Sequence, residues 1–306
     1  MKPGIASRLD RALRWSPAHL AFHWGSARTV AVLAYHGIRD ADRFEEHVAY
    51  FRRHMSPIAL DDLVDAVHGR SRLPRRAVLV TFDDGDRSVV DVALPILREH
   101  SIPGVAFVIP GLLDTAQPFW WTEVEDLARA GGRTVGLEGR RPEELVRILK
   151  RMATAERLRA IDELRRTSPL PASTSPQLGR HDLHLLDGSG IEVGNHTHSH
   201  ASLVRCTRSQ AVEEITRAHE ILATTLPQPP RAFAYPNGDW DGTAEEVLRD
   251  LGYQAAFLFD HRSEPVPPPN PLRISRLRVD ATTSMDRLRI VLSGLHGALH
   301  RLRGLS

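Results

Sequence analysis

The feature that most constrains the fold is a regular alternation of apolar strand-like runs with helix-like segments, repeated about seven times. Runs such as Thr29–Tyr35 and Ala77–Phe82 are apolar almost throughout, which is typical of parallel strands covered on both faces. The alternation predicts an α/β protein. A length of 306 residues fits a closed or nearly closed (β/α) barrel better than an open sheet.

The sequence divides into three predicted parts. An N-terminal helical extension (1–28) precedes the barrel (29–282), and a C-terminal helix (283–306) follows it. Within the barrel, residues 131–181 break the alternation with two helices rich in Arg, Glu and Leu and a proline-rich loop. We expect this stretch to be a helical insertion that flanks or covers the barrel mouth.

Composition excludes several functional classes. With 42% hydrophobic and 25% charged residues, the chain has the balance of a soluble globular protein. The formal charge is +2, and the arginines are scattered among carboxylates, so a nucleic-acid surface is not expected. The single cysteine, Cys206, allows no intrachain disulfide. The first thirty residues lack an apolar run of signal-peptide length, which predicts a cytoplasmic location.

Both ends of the chain resemble basic amphipathic helices, over residues 7–24 and 288–305. Two alternatives remain open for them. The sequence favours packing of both helices against the barrel. Peripheral contact with an acidic membrane surface is the other alternative. The sequence does not determine the oligomeric state.

Two adjacent carboxylates, Asp83 and Asp84, follow the buried strand Ala77–Phe82 directly. Successive residues at the end of a strand point in different directions, so the two carboxylates are expected to have different tasks. One would hold a metal ion while the other handles a water molecule or a proton. The plain alternative is a turn, because Asp-Gly is a common turn dipeptide.

Three histidines, at positions 196, 198 and 200, follow another predicted strand, at 191–194. His196 and His200 share a face whether the loop is helical or extended, so both imidazoles can reach one point. Two imidazoles with one carboxylate are a common ligand set for catalytic zinc, with a position left open for water. His198 shares that face only in the extended case and is given no ligand role.

Taken together, these motifs resemble the polysaccharide deacetylases of the NodB-homology type, carbohydrate esterase family 4. Thr-Phe-Asp-Asp-Gly at 81–85 matches the first family motif, and His-Thr-His-Ser-His at 196–200 matches the second. The resemblance implies a distorted seven-stranded barrel, a catalytic base at Asp83, and a divalent metal held by Asp84, His196 and His200. Zinc is the metal we favour, with cobalt, nickel or iron as alternatives.

Two departures from the common family pattern place the chain in one branch. Alanine stands where the third motif usually has an arginine, and no Leu-x-His follows near the C-terminus. The early Tyr-His at 35–36 resembles the branch of poly-N-acetylglucosamine deacetylases, which implies that His36 is the general acid. Arg276 or Arg273 is expected to replace the missing arginine beside Asp83.

The resemblance predicts removal of N-acetyl groups from an amino-sugar polysaccharide or a glycan precursor. Deacylation of a lipid- or nucleotide-linked amino sugar, esterase activity on O-acetyl xylan, and a metal-free carbohydrate-binding relative are the alternatives. The expected partner is an N-acetylated glycan. Its predicted contacts are Tyr235, Pro236, Asn237 and Trp121. Trp120 and Trp121 cannot both face inward from one helix, so at least one is expected to pack elsewhere.

Overall fold

The computed structural model describes residues 10–302 of the chain. One sheet contains nine strands: β1 Thr29–Tyr35, β2 Ser56–Pro57, β3 Ala77–Phe82, β4 Gly104–Val108, β5 Ile191–Asn195, β6 Ala232–Ala234, β7 Ala255–Phe257, β8 Glu264–Pro265 and β9 Leu277–Arg278. The helices are α1 Pro17–Gly25, α2 Ala41–His54, α3 Leu60–Val67, α4 Leu94–Glu99, α5 Trp120–Arg129, α6 Pro142–Leu149, α7 Thr154–Thr167, α8 Arg180–Asp187, α9 Arg208–Thr225, α10 Gly242–Asp250, α11 Met285–Leu292 and α12 Leu295–Leu302.

The strands run in the order β7-β6-β5-β4-β3-β1-β8, with β2 beside β3 and β9 beside β1. Every strand pair is parallel except β1 with β8. The sheet curls into part of a barrel with helices outside it, so the α/β barrel predicted from the alternation is confirmed.

The segment 274–278 lies against both ends of the parallel run. Ile274 forms a parallel bridge with Phe257 of β7, and Leu277 pairs with Leu33 of β1. The run from 272 to 279 has the sequence pattern of one long strand, whereas the structure divides its pairing between β7 and β1. Because the segment crosses the gap between β7 and β1, residues between 274 and 277 can point into the barrel interior.

Alternate residues of each strand face opposite sides of the sheet. Val32, Leu79, Val105 and Phe257 form one buried cluster with α3 inside the barrel. The intervening strand residues, such as Leu33 and Val80, pack against the outer helices in a second cluster. Both faces of the sheet are therefore covered by apolar side chains, which explains why the strands are apolar throughout.

Local sequence explains where several helices depart from simple prediction. The amphipathic pattern of residues 88–100 predicts one helix with a kink at Pro95. Instead, a π-helical turn at Val89–Ala93 precedes α4, and Pro95 lies in the first turn of α4. The helical path is continuous through both, and the wider π-helical turn just before Pro95 accommodates a residue that has no N–H to donate. The single C-terminal helix predicted after residue 282 is wrong: it breaks at Gly294, whose φ is +82°, into α11 and α12.

The 131–181 region contributes α6 and α7, which pack against α5 through a separate apolar cluster that includes Val124, Leu145, Leu149 and Leu164. Helix α8, which the sequence did not suggest, then leads into β5. None of the helices between residues 10 and 302 combines the length and apolar character needed to cross a bilayer.

Candidate active site

Asp83 continues the inward-facing series of β3. Ala77 and Leu79 lie in the interior cluster, and Thr81 and Asp83 follow at the same spacing of two residues. The Asp83 side chain is buried inside the barrel mouth. Its two oxygens accept hydrogen bonds from Nη1 and Nη2 of Arg276, at 2.7 and 2.8 Å. A paired arginine is what a buried carboxylate requires to stay ionised.

Arg276 reaches Asp83 because it lies in the segment that bridges β7 and β1. The side chain is fully buried, and its guanidinium also donates to the carbonyl of Leu258 (2.8 Å) and the hydroxyl of Thr81 (3.1 Å). Of the two arginines proposed from the sequence, the structure therefore places Arg276 beside Asp83. The alternative, Arg273, is wrong, because its guanidinium pairs with Glu245 at 2.5 Å and stacks on Trp240.

Asp84 points elsewhere because the chain turns sharply after β3. Asp84 and Gly85 have φ values of +71° and +72°. Aspartate tolerates this left-handed conformation better than most residues, and glycine adopts it freely. A Cβ at Gly85 would also lie 3.3 Å from the Cβ of Val108. This turn separates the directions of Asp83 and Asp84, as the sequence predicted.

His196 and His200 converge on Asp84. Their Nε2 atoms lie 3.5 and 3.4 Å from Oδ1 of Asp84. The loop between them is neither helical nor extended, because Thr197 and His200 have φ values of +65° and +56°. The predicted convergence is present, but it arises from this irregular turn and from neither of the two conformations considered. His198 lies outside the three-residue cluster.

The cluster of Asp84, His196 and His200 has the donor atoms and the spacing that a divalent metal ion requires. One ligand atom from each of Asp84, His196 and His200 lies within 4.8 Å of the others. Oδ1 of Asp84 is buried without a hydrogen-bond partner, and 3.4–3.5 Å is too long for strong hydrogen bonds to the imidazoles. Two atoms bound at about 2.1 Å to one tetrahedral zinc would lie about 3.4 Å apart. The donor set and its spacing therefore suit a divalent ion.

The tautomer of His196 supports its role as a candidate metal ligand. Its Nδ1 lies 2.7 Å from the carbonyl oxygen of Ala234, so Nδ1 carries the proton and donates it. Nε2 is then left with a free lone pair that faces Asp84. A ligand histidine held by a backbone carbonyl in this way is the common arrangement around protein-bound metals.

Burial and charge set the protonation of the four central groups. Burial raises the pKa of Asp83, but the Arg276 guanidinium outweighs it, so the pKa lies below its usual range. Burial also raises the pKa of Asp84, but His196 and His200 outweigh it, so this pKa also lies below its usual range. Burial lowers the pKa of His196, but the two carboxylates raise it above 6.5 overall. Burial and the charge of His196 lower the pKa of His200 to about 3, against the attraction of Asp84.

His36, at the end of β1, lines a cavity of about 620 Å³ that also exposes Asp84. Its ring makes an edge contact with Phe259, at 5.7 Å between centroids, and its Nδ1 is buried without a hydrogen-bond partner. A positive charge on His36 would lower the pKa of both Asp83 and Asp84. The structure therefore gathers the predicted acid, the predicted base and the candidate metal ligands at one mouth.

The two tryptophans of α5 separate as expected for neighbours on a helix. Trp121 lines the cavity, stacks on Phe119 at 4.8 Å and lies 4.9 Å from the ring of His200. Trp120 turns towards α7, where the Arg157 guanidinium lies 4.7 Å from its ring centroid. Trp121 is thus the one of the pair that can contact a substrate.

The other predicted substrate contacts do not reach this cavity. Tyr235 is fully buried, and its hydroxyl donates to the carbonyl of Leu272 at 3.1 Å. Its prediction as a substrate contact is therefore wrong, because its whole side chain is used in packing. Pro236 is buried and Asn237 is exposed, and neither lines the cavity that contains His36 and Asp84.

Sequence reasoning missed several side chains that line the cavity. Arg39 and Asp86 follow the ends of β1 and β3, while Arg278 and Asp280 lie at and just after the end of β9. The same strand-end rule that selected Asp83 could have found them. Phe119 comes from the loop before α5, and no local signal marked it.

Comparison with known proteins identifies the family. A family model described as polysaccharide deacetylase matches residues 70–256, more than half of the chain. The chain belongs to the polysaccharide deacetylase family. The poly-beta-1,6-N-acetyl-D-glucosamine N-deacetylase of Staphylococcus epidermidis is 22% identical over 210 residues. That match covers 69% of this chain but only 57% of the relative, so the chain spans little more than half of that protein's length.

Solved structures show the same fold. IcaB from Ammonifex degensii has a TM-score of 0.60 at 23% identity, covering 87% of this chain and 97% of that one. The Streptococcus pyogenes deacetylase PplD, in complex with acetate, has a TM-score of 0.61 at 17% identity, covering 86% and 98%. The NodB-like barrel expected from the two sequence motifs is confirmed.

Proposed function

We propose that this polysaccharide deacetylase family member is a metal-dependent hydrolase that removes N-acetyl groups from an amino-sugar polysaccharide or glycan precursor. The observation that carries the proposal is the pairing of Asp83 with Arg276, beside the Asp84, His196 and His200 cluster. A barrel that only bound sugars would gain nothing from a buried ionised base next to three convergent ligand atoms, since both are costly to bury. The names of the relatives support an N-acetylated glucosamine polymer as substrate.

Three side chains of this site would hold the ion: Asp84 through Oδ1, and His196 and His200 through Nε2. When bound, a divalent ion acts as a Lewis acid that makes water a better nucleophile and polarises the amide carbonyl. The low pKa of His200 keeps its imidazole neutral and ready to bind at physiological pH. We favour zinc, because the donors are two nitrogens and one oxygen.

Asp83 is the general base in this proposal. It accepts a proton from the water that attacks the acetyl carbon. Arg276 keeps Asp83 ionised and fixes the orientation of its carboxylate through two hydrogen bonds. Protonated His36 donates a proton to the amide nitrogen as the carbon–nitrogen bond breaks. The products are acetate and a free amine on the sugar.

Acetate release from a substrate panel tests the proposal. The panel contains β-1,6-linked N-acetylglucosamine oligomers, chitooligosaccharides, a nucleotide-linked N-acetyl sugar and acetylated xylan. We expect release from the first of these, and a reduction on the order of a hundredfold or more in Asp83→Asn and in His36→Ala. Zinc content should be unchanged in both variants. The matched control is His198→Ala, which removes a neighbouring histidine outside the cluster and should keep its activity.

Other outcomes would replace the proposal. Release from xylan alone would make the protein an O-acetyl esterase. Release from the nucleotide-linked sugar alone would indicate that the substrate is a nucleotide-linked precursor and not a polysaccharide. Sugar binding without any acetate release would indicate a binding protein. Near-normal turnover in Asp83→Asn or His36→Ala would remove that residue from the mechanism. The cytoplasmic location expected from the sequence stays a prediction, which fractionation of cells would test.

A further inference from the structure

A group of large apolar side chains near the N-terminus is exposed to solvent. Trp15 is 73% exposed, Leu20 56%, Phe22 38% and Trp24 78%. Three of them, Trp15, Leu20 and Trp24, are called here the aromatic patch and fall within ten positions of the chain. Phe22 is two residues from both Leu20 and Trp24, so it lies on the other side of the helix, in a cavity with Arg262 and Gly294. Single exposed apolar residues are ordinary on protein surfaces, but a local concentration of them marks an interaction site. The helix packs against the body of the chain through His19, as the sequence favoured, while Trp15, Leu20 and Trp24 remain outside that contact.

Specific contacts fix the orientation of α1 with its largest side chains outward. His19 is buried on the inner side, and its Nε2 lies 3.4 Å from the carbonyl oxygen of Arg289. The hydroxyl of Ser16 caps the helix by accepting from the N–H of His19. Leu20 and Trp24 are four residues apart and share the opposite, solvent-facing side. The exposure of Leu20 and Trp24 thus follows from a defined docking of α1 on α11.

The chain around the aromatic patch is basic, and the nearby carboxylates, Asp10 and Asp286, are paired with arginines. Residues 11–28 include three arginines and no aspartate or glutamate. The Arg14 guanidinium lies 5.0 Å from the Trp15 ring centroid and also pairs with Asp286 at 2.7 Å. Arg11 is exposed beside it. Tryptophan and leucine fringed by arginine are the composition of helices that lie in the interface of an anionic bilayer.

The size of the patch argues against a second protein as its occupant. The three side chains together expose on the order of 400 Å², given 150–250 Å² for an aromatic side chain. A stable protein–protein interface buries about 800 Å² on each partner. A bilayer sets no such minimum, because tryptophan gains from the interface by inserting its ring singly.

We propose that the aromatic patch is a docking surface for an anionic lipid bilayer, on which the barrel rests peripherally. Trp15, Leu20 and Trp24 enter the headgroup region, and the nearby arginines contact lipid phosphates. The Arg14–Asp286 pair places one end of the patch beside the start of α11, close to the loop whose Asp280 and Thr282 line the cavity.

Vesicle flotation of the full chain tests this proposal without reference to activity. We expect the protein to float with vesicles of phosphatidylcholine and phosphatidylglycerol, to bind phosphatidylcholine alone weakly, and to dissociate as salt is raised. The double variant Trp15→Ser/Trp24→Ser should lower the partition coefficient on the order of tenfold or more. The matched control is Trp240→Ser, which removes a tryptophan that is 39% exposed elsewhere, and it should bind vesicles like the wild type.

Three results would overturn the proposal. The first is failure of the wild type to float with either kind of vesicle. The second is vesicle binding that the double variant does not reduce. The third is a concentration-dependent dimer that the double variant converts to a monomer, which would assign the patch to a second copy of the chain. All substituted side chains are exposed, so we expect each variant to fold like the wild type. Circular dichroism checks this.

Discussion

Replacing Arg276 with methionine tests the most consequential interaction of the site. Methionine has a similar length and fills the buried space, so the change removes charge and hydrogen bonds with little loss of packing volume. It leaves the Asp83 carboxylate buried without its partner. Two further groups, the carbonyl of Leu258 and the hydroxyl of Thr81, each lose one hydrogen bond from Arg276.

The expected cost follows from the burial of the pair. Arg276 is 0% exposed and Asp83 3%. Removing one partner of such a pair typically lowers the free energy of unfolding by about 3–5 kcal/mol, because the remaining charge is uncompensated. Replacing both partners costs less. We therefore expect Arg276→Met to be strongly destabilised, and Asp83→Asn/Arg276→Met to be more stable than the sum of the single variants implies.

Equilibrium urea unfolding of all four proteins of this cycle, followed by circular dichroism, gives the coupling free energy. The folded pKa of Asp83 is depressed, so its pairing contributes stability above the unfolded pKa of about 4, and this is lost as pH falls through the folded pKa. The difference between wild type and Arg276→Met should thus shrink in acid. Additive single effects, or a difference independent of pH, would refute the reasoning.

Four further predictions concern the metal cluster and the cavity. Asp84→Asn should weaken zinc binding by about a hundredfold or more, measured by titration against a chromophoric chelator. Because the pKa of His196 is raised, zinc binding should release a proton and weaken as pH falls through that pKa; calorimetry in buffers of different ionisation enthalpy measures the release. His200→Ala should abolish stoichiometric zinc, whereas His36→Ala should keep it, by elemental analysis. Trp121→Ala should raise KM more than it lowers kcat, and the opposite split would place Trp121 in the chemical step.

Much of the site could be predicted because strand position and residue type agree. Asp83 and Asp84 follow an apolar strand, and the barrel rule brings strand ends to one mouth. The rule also located His196 and His200, although the turn that joins them has a left-handed residue at each end, which no periodicity reports. Local sequence thus predicted where the polar groups gather but not the backbone path between them.

The remaining features depended on tertiary structure. Arg276 and Arg273 were equivalent in the sequence, and only the crossing of the 274–278 segment from β7 to β1 turns Arg276 inward. Tyr235 lies next to a strand end like Asp83, yet its ring fits the apolar cluster around Phe233 and packs there. The exposure of Trp24 was likewise invisible, because an amphipathic pattern does not say which face docks.

Zinc titration of metal-stripped protein, with acetate release measured at each step, tests the central claim most directly. The account predicts that activity on β-1,6-linked N-acetylglucosamine oligomers is absent after chelation and rises in proportion to added zinc, reaching a plateau at about one ion per chain, as one catalytic site requires. In Asp84→Asn the same titration should restore little activity. Full acetate release from metal-free protein would contradict the account.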